Sequence, residues 1–565
     1  MTTLSRIVAL ANASEPDLER IRSYCSSRYL ANHPLAIAPE GGLIGLPRSI
    51  NKNFRAWHAE GAILVFPSSR DGNGPVYRFV REAGDWRYDG VVGMLDSRGR
   101  LIPLTGDEPV SGVFPPAAKA ITPPAVGFTP LPCLIAFQAD TPPPRLRLIV
   151  ETDAGGDPDD EQSLVRFLLY ANEWDLEGII ANRIHARDGE NLSPERTGLG
   201  IVRALIDAYG VCHAHLKEHD PRYPDAARLR SLTVPGRDDS DEAVRLLIEA
   251  IDRDDPRPVW YLNWGTINGS EQSALLRALD QVLRERGADA YSRFKSRFFL
   301  ASDDQFGTHT LEVDPPFPLW IDTFRPEWRE QGGRWYWRFS TITARAGGFD
   351  IERDVRRDHG PLGALYPTNT THPQKEGDSM TFLYLIPNGL NAPEHPTWGG
   401  WAGRYGPNEK TPGKPYYHAN VLDDWRGTKS RDNSLARWAV ALQNDFRARL
   451  DWCVQSPSRA NHPPIVRVEG ARDRTVRPGQ SVTLDAAATR DPDQDEINYE
   501  WFFYPEAGTY PGPTPAIADP NSARPRLKIP VDAGGCSLHL ILAATDRGAP
   551  PLTRYARIVL DVRKD

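Results

Sequence analysis

The sequence predicts an α/β protein with a mostly parallel sheet and flanking helices, preceded by a small β-rich domain and followed by a β-sandwich. Three observations predict it. Residues 1–140 hold short strand-like runs separated by Gly/Asp turns. From residue 145 to about 457, buried-strand runs alternate with amphipathic helical patterns. From about residue 462 to 565, strand patterns alternate with Pro/Gly/Asp turns and no helical period intervenes.

In the first region, Glu15 to Tyr24 has a helical pattern. Strands are expected at Gly61 to Phe66, Val76 to Val80 and Trp86 to Val92, with the turns DGNG, EAGD and DSRG around them. A Pro-rich stretch near residues 114–144 follows and reads as an extended, semi-rigid linker.

The texture then changes. Leu146 to Val150 is a buried-strand run, and a Gly/Asp loop follows it. A helix is expected over Ser163 to Asn172, where Leu164, Phe167, Leu168 and Ala171 fall at i, i+3, i+4 and i+7, the spacing of one helix face. Leu176 to Asn182 is a second strand, so the unit is β–loop–α–β, the building block of a parallel sheet. The unit recurs. DSDEAVRLLIEAI offers an Asp239/Glu242 capping box ahead of Val244, Leu247, Ile248 and Ile251. Strands are expected at Val259 to Trp264 and Arg297 to Ser302, with a helix over Glu271 to Arg286 between them. In the last region, VTLDA, NYEWFFY, LHLILAATD and ARIVLDV are the strand runs.

Composition excludes several classes of function. Lys plus Arg number 67 and Asp plus Glu 75, so the net charge of −8 argues against nucleic acid as a partner. No apolar run reaches the roughly 18–20 residues of a membrane-spanning helix. The N-terminal apolar stretch, Ile7 to Ala13, is short for a secretory leader, which makes a cytoplasmic location the expectation. Cys25, Cys133, Cys212, Cys453 and Cys536 form no CxxC pair and are read as free thiols.

The chemistry is expected where the first strand of the α/β region ends, because ligands of open α/β sheets bind at the carboxyl ends of strands. The segment ETDAGGDPDDEQ packs Glu151, Asp153, Asp157, Asp159, Asp160 and Glu161 into one strand-to-helix loop. So many carboxylates repel one another unless a cation lies among them. All-oxygen ligands suit Ca²⁺ or Mg²⁺, with Ca²⁺ preferred here. The plain alternative is a solvated acidic loop that caps a helix. Tryptophans supply flat faces for sugars. Trp398 and Trp401 flank two glycines in PTWGGWAGRY.

LRLIVETDAGGDPDDEQSL resembles the aspartate-rich loop of nucleoside hydrolases, a strand followed by D-x-D-P-G-x-D-D. Here Glu151 stands for the first acid, Asp153 matches the second, Asp159 and Asp160 match the closing pair, and two extra residues lie between. The longer GGDPDD loop, KEGDS…FLYLIPNGL…PEHPTWGGWAGRY from Lys375 to Tyr405, and the stretch from Arg437 to Pro464 look like the nucleoside-hydrolase-like family described as cellulose-binding. That resemblance covers roughly residues 145 to 565. It implies hydrolysis of the N-glycosidic bond of a nucleoside or related ribosyl compound, through an oxocarbenium-like sugar. It implies Asp153 and Asp160 as Ca²⁺ ligands, with Asp157 competing for a place, and Asp159 as the base that activates water. The late acidic ligand corresponds to Asp378, or to Glu376 as a contact in the same motif. Thr266 is the expected mid-sheet ligand, with Asn268 competing. Asn182 would bind a sugar hydroxyl. His185 and His309 are candidates at the leaving group. Asp303, Asp304 and Gln305 in SDDQFGTH could line the pocket. The C-terminal region resembles cadherin-like and immunoglobulin-like modules through DPDQDE and ATDRGAPPL. Two other functions stay open: carbohydrate (cellulose-like polysaccharide) binding on a hydrolase-like scaffold, and O-glycoside hydrolysis. All expect a small-molecule ribosyl or sugar ligand, and a homo-oligomer is left open.

Overall fold

The computed structural model describes residues 145–156, 158–186, 197–237, 241–265, 273–302, 315–323, 338–368 and 374–564, together with the backbone of seven strands between residues 36 and 103. Two compact units are present, residues 1–136 and 137–565. In the first, Ala36–Ile37 (β1) pairs with Leu43–Ile44 (β2). Phe54–Ala59 (β3), Ala62–Pro67 (β4), Gly74–Glu82 (β5), Asp85–Leu95 (β6) and Leu101–Pro103 (β7) form a five-stranded antiparallel meander in sequence order. The strands expected at Val76 to Val80 and Trp86 to Val92 lie within β5 and β6, and the one expected at Gly61 to Phe66 overlaps β4 from Ala62 onward. The helix expected over Glu15 to Tyr24 and the Pro-rich linker lie outside the described residues.

The second unit is built on an eight-stranded sheet. Its strands are Arg147–Thr152 (β8), Asp175–Ala181 (β9), Thr233–Pro235 (β10), Val259–Asn263 (β11), Phe298–Ser302 (β12), Leu319–Asp322 (β13), Gly406–Pro407 (β14) and Tyr416–His418 (β15). Their order is β10-β9-β8-β11-β12-β13-β15-β14. Every pairing is parallel except β14 with β15. The chain runs outward from β8 to β10 and then returns to place β11 on the other side of β8. This reversal opens a crevice beyond the carboxyl ends of β8 and β11.

Alternation along the strands explains why the sheet is covered on both sides. Leu148, Val150, Trp260 and Leu262 face one core, with helices Pro158–Leu168 (α1) and Gly198–His219 (α2). Ile149, Tyr261, Phe298 and Leu300 face the other, with Glu242–Asp252 (α4) and Ala274–Lys295 (α5). A short helix, Ala226–Ser231 (α3), precedes β10. Each fully buried Leu or Ile contributes about 1.5–3 kcal/mol, so these two layers carry much of the fold's stability.

The capping box expected at Asp239 is not what starts α4. Its N-cap is Asp241, in the left-handed region (φ 53°) and without a side-chain cap bond; Asp239 lies outside the described residues. Helix α5 starts at Ser273, whose side chain accepts from Leu276 N at 3.2 Å. Cys212 and Cys453 are buried free thiols, and Cys536 is free and half-buried.

The last part of the unit is β-rich. After a small hairpin, Asp423–Trp425 (β16) with Thr428–Ser430 (β17), come Asp473–Val476 (β18), Ser481–Thr483 (β19), Asn498–Phe503 (β20), Ile517–Ala518 (β21), Arg526–Lys528 (β22), Ser537–Thr545 (β23) and Thr553–Val562 (β24). They form a four-stranded sheet, β18-β24-β23-β20, and a three-stranded sheet, β19-β22-β21. Leu540, Leu542, Ile558 and Leu560 pack between these strands. Ile541 and Tyr555, on the opposite face of β23 and β24, pack into the core of the α/β part. Both faces of this ribbon are thus buried, which is why its strands read as near-continuous apolar runs. Among the described residues, no helix is long and apolar enough to cross a membrane.

Candidate functional site: an acidic crevice at the sheet's switch point

The loop after β8 leads into α1. Pro158 opens the helix, and Asp159, Asp160 and Glu161 form its first turn. Proline suits that position because its missing N–H would be unpaired there anyway, and carboxylates suit the positive end of the helix. Helix capping does not account for a third acid brought in from a distant segment. Asp378, from the loop before a short helix at Ser379–Leu383 (α6), joins Asp159 and Asp160, and one carboxylate oxygen from each lies within 4.8 Å of the others. Asp160 and Asp378 are buried and Asp159 is half-buried.

Asp160 is held from the strand side. Thr152 Oγ1 donates to its Oδ1 at 2.5 Å, and Asp153 N donates to the same oxygen at 3.1 Å. Burial pushes the Asp160 carboxyl well above its usual range, and the nearby Asp378 and Asp153 carboxylates push it further. Such a group is stable as an anion only when positive charge is brought to it. Three oxygen donors with two of them buried fit a hard divalent cation.

Asp378 is placed by α1 itself. Arg166 donates to Glu376 through Nε (2.5 Å) and Nη2 (3.0 Å), and both side chains are fully buried. Gln162 Oε1 accepts from Lys375 N at 2.6 Å, and Gln162 Nε2 donates to Pro367 O at 2.7 Å. One helix therefore carries two of the acids on its first turn and anchors the loop of the third on its next two.

The other expected residues fall into distinct places. Asp153 stays beside Asp160 and accepts from Arg183 Nη2 at 2.6 Å. Asn182 is buried at the end of β9; its Nδ2 donates to Glu151 Oε1 at 3.2 Å and to Gly265 O at 2.8 Å, leaving Oδ1 without a hydrogen-bond partner among the described residues. His185 is exposed in the segment after β9. Asp157, Thr266, Asn268, Asp303, Asp304, Gln305 and His309 lie outside the described residues.

Four readings of the sequence are corrected. Glu151 is not among the clustered acids. It is fully buried, accepts from Tyr261 OH and Ala274 N, and so caps α5; burial raises its carboxyl to about 7. Glu376 makes no sugar contact, because Arg166, Tyr366 OH, Gln374 Nε2 and Ser379 Oγ already occupy its two oxygens. Trp401 is fully buried, with its ring edge-on to Tyr555 at 6.5 Å. Trp398 is half-buried, stacked on His395 at 3.9 Å and edge-on to His539 at 4.7 Å. Both tryptophans belong to the joint with the C-terminal strands.

Sequence reasoning missed Arg166, Gln162 and Arg183. A signal for the first two exists: Gln162 and Arg166 are four apart and share one helix face, and Arg166 interrupts the apolar run Leu164 to Leu168, the pattern of a buried polar face. Nothing local marks Arg183. A charged cavity of about 280 Å³ among Arg145, Asp175, Glu177, Arg228, Arg253 and Asp255 lies at the amino ends of the strands, away from the acids.

A doubly covered parallel sheet with an acidic crevice at its switch point defines a nucleoside-hydrolase-like α/β protein. Residues 147–405 match the family "Cellulose-binding Sde182, nucleoside hydrolase-like domain", and residues 481–562 match "Cellulose-binding protein Sde0182, C-terminal domain". A solved structure, a nucleoside hydrolase-related hypothetical protein from Saccharophagus degradans that is associated with carbohydrate metabolism, is 30% identical with a TM-score of 0.58, over 74% of this chain and 100% of that one. This chain belongs to that Sde182 family. The effector protein XOO4466 is similar at 10% identity and a TM-score of 0.29, over 56% of this chain and 95% of that one, a score too low to show a shared fold. No match was found among curated proteins.

Proposed function

We propose that the crevice holds a divalent cation, Ca²⁺ in preference to Mg²⁺, on Asp159, Asp160 and Asp378, and cleaves a glycosidic bond of a ribosyl compound. The observation that carries this is the convergence of three carboxylate oxygens within 4.8 Å from two separate segments, two of the acids being buried. Nothing in the fold requires three repelling acids to meet there. Bound there, the cation would lower the pKa of a water and grip sugar hydroxyls. Asp159, the most exposed of the three, is the base that takes the proton from the attacking water. Asp153, oriented by Arg183, adds negative charge beside a cationic sugar. The open Oδ1 of Asn182 accepts from a sugar hydroxyl. His185 is the described side chain proposed near the leaving group.

A second reading is carbohydrate binding without turnover. It is favoured by the family's description as cellulose-binding and by the relative's association with carbohydrate metabolism. A shared fold does not choose between the two. In either case we propose the C-terminal strands as a cadherin-like module that assists binding. The deciding experiment is metal analysis of purified protein, followed by a screen of nucleosides, other ribosides and O-glycosides for released product. Turnover that disappears in Asp159→Asn at Ca²⁺ concentrations high enough to fill the weakened site supports the hydrolase. Saturable binding of cello-oligosaccharides with no product supports the binding protein. Protein that takes up no cation contradicts the proposed site.

A further inference from the structure

Polar residues at the carboxyl ends of five neighbouring strands stand in one rank. Glu151 on β8 pairs in register with Asn263 on β11, Asn263 with Ser302 on β12, Ser302 with Asp322 on β13, and Asp322 with His418 on β15. All five are buried. Alternation along β11 puts Asn263 on the same sheet face as Val259 and Tyr261. Side chains buried in this way are costly unless each finds a hydrogen bond.

Four of the five have partners. Glu151 is bonded to Tyr261, Asn182 and Ala274 N. Asp322 Oδ2 lies 3.0 Å from His418 Nδ1, and Ser302 is engaged as well. Asn263 in the middle of the rank is different. It is fully buried, and among the described residues neither its Nδ2 nor its Oδ1 has a hydrogen-bond partner. It is also at the right place. Trp264 N, the next residue's amide, donates to Glu151 O at 2.9 Å, and at Gly265 a Cβ would lie 3.1 Å from Asp153 Oδ1. Asn263 thus ends its strand two residues before the position that touches Asp153, one strand from Asn182's partner Glu151.

We propose that Asn263 is a ligand-binding residue of the crevice, whose amide pairs with two adjacent hydroxyls of the bound sugar. The amide presents a donor and an acceptor side by side, and a vicinal diol presents the same pair. Nδ2 donates to one hydroxyl oxygen while Oδ1 accepts from the other. This inference rests on the reading of the crevice as a sugar site. The competing account is an ordered water that satisfies the amide as part of the fold.

Asn263→Leu separates the two, since leucine has a similar size and no polar atoms. Thermal melts are recorded without ligand, and binding of ribose, inosine and cellobiose is titrated in the presence of Ca²⁺. The expected result is a ligand-free melting temperature equal to or above the wild type's, with unchanged Ca²⁺ uptake and at least about tenfold weaker sugar binding. Asn263→Ser, which leaves one hydroxyl and room, is expected to lose affinity in the same direction. A lower melting temperature with unchanged sugar affinity in both variants makes Asn263 a residue of the fold and overturns the inference. If Asp160→Asn loses sugar binding and both Asn263 variants keep it, this inference alone fails. If the wild type takes up Ca²⁺ yet binds none of the three probes, the underlying reading fails and this inference with it.

Discussion

Arg166 and Glu376, 210 residues apart in sequence, form a fully buried two-point ion pair that ties helix α1 to the loop of Asp378. The guanidinium also lies 3.7 Å above the Phe446 ring and donates to Gln443 Oε1 at 2.9 Å. Removing one member of such a pair leaves the other charge buried and uncompensated. Arg166→Met is therefore expected to destabilise the protein by about 3–5 kcal/mol. It is also expected to weaken Ca²⁺ uptake, because Asp378 loses its anchor. Denaturant melts and calcium titration check both, and a variant as stable as the wild type would falsify the role assigned to the pair.

Asp160→Asn separates capping from cation binding. In the absence of metal the substitution removes like-charge repulsion from Asp378 and Asp153 while keeping an oxygen for Thr152. The metal-free variant is expected to melt at or above the wild type. Added Ca²⁺ is expected to raise the wild type's melting temperature and leave the variant's unchanged, since a ligand stabilises only the state that binds it. Equal shifts in both proteins would count against the site.

Trp401→Ala is expected to damage the fold rather than any sugar contact. Its ring is fully buried, with Tyr555 on one side and the Arg554 guanidinium 5.9 Å away. Truncating a buried Trp costs about 3–5 kcal/mol. Calcium uptake per folded molecule is expected to be unchanged. A stable variant with selectively lost polysaccharide binding would restore the aromatic-platform reading of PTWGGW.

His539 gives the joint a pH dependence. Burial lowers its pKa from 6.5 to about 3, and Arg557 and His395 oppose the charged form too. Arg557 Nη1 lies 3.2 Å from Nδ1, where it donates to a neutral ring. The unfolded chain takes up a proton below about 6.5 and the folded chain does not. The contribution of the neutral ring is therefore complete above that pH and is lost as the pH falls toward 3, on the order of a few kcal/mol. His539→Gln is expected to flatten the stability-versus-pH curve in that window. Equal slopes for the two proteins from chemical melts would refute the assignment.

Much of this was legible in the chain. Apolar runs placed β8, β9, β11 and β12, because burial on both faces of a parallel sheet writes itself into local runs of apolar residues, and period-3.6 patterns placed α4 and the second half of α1, which starts at Pro158 rather than Ser163 and ends at Leu168 rather than Asn172. Asp159 and Asp160 were legible for the same reason: they sit in one loop, next to the strand end where ligands bind. Asp378 was expected from its motif, but its meeting with the pair depends on Arg166 and Glu376, which no local pattern links. The Trp residues of PTWGGW and the acid Glu151 misled because a sequence shows which groups are present and not which way they face. Sequence by itself determined the order of elements and the supply of carboxylates. Tertiary structure decided which carboxylates converge, which are occupied by partners, and that Asn263 has none among the described residues, because those depend on contacts between segments hundreds of residues apart, where geometry and burial set the cost of every unpaired polar group.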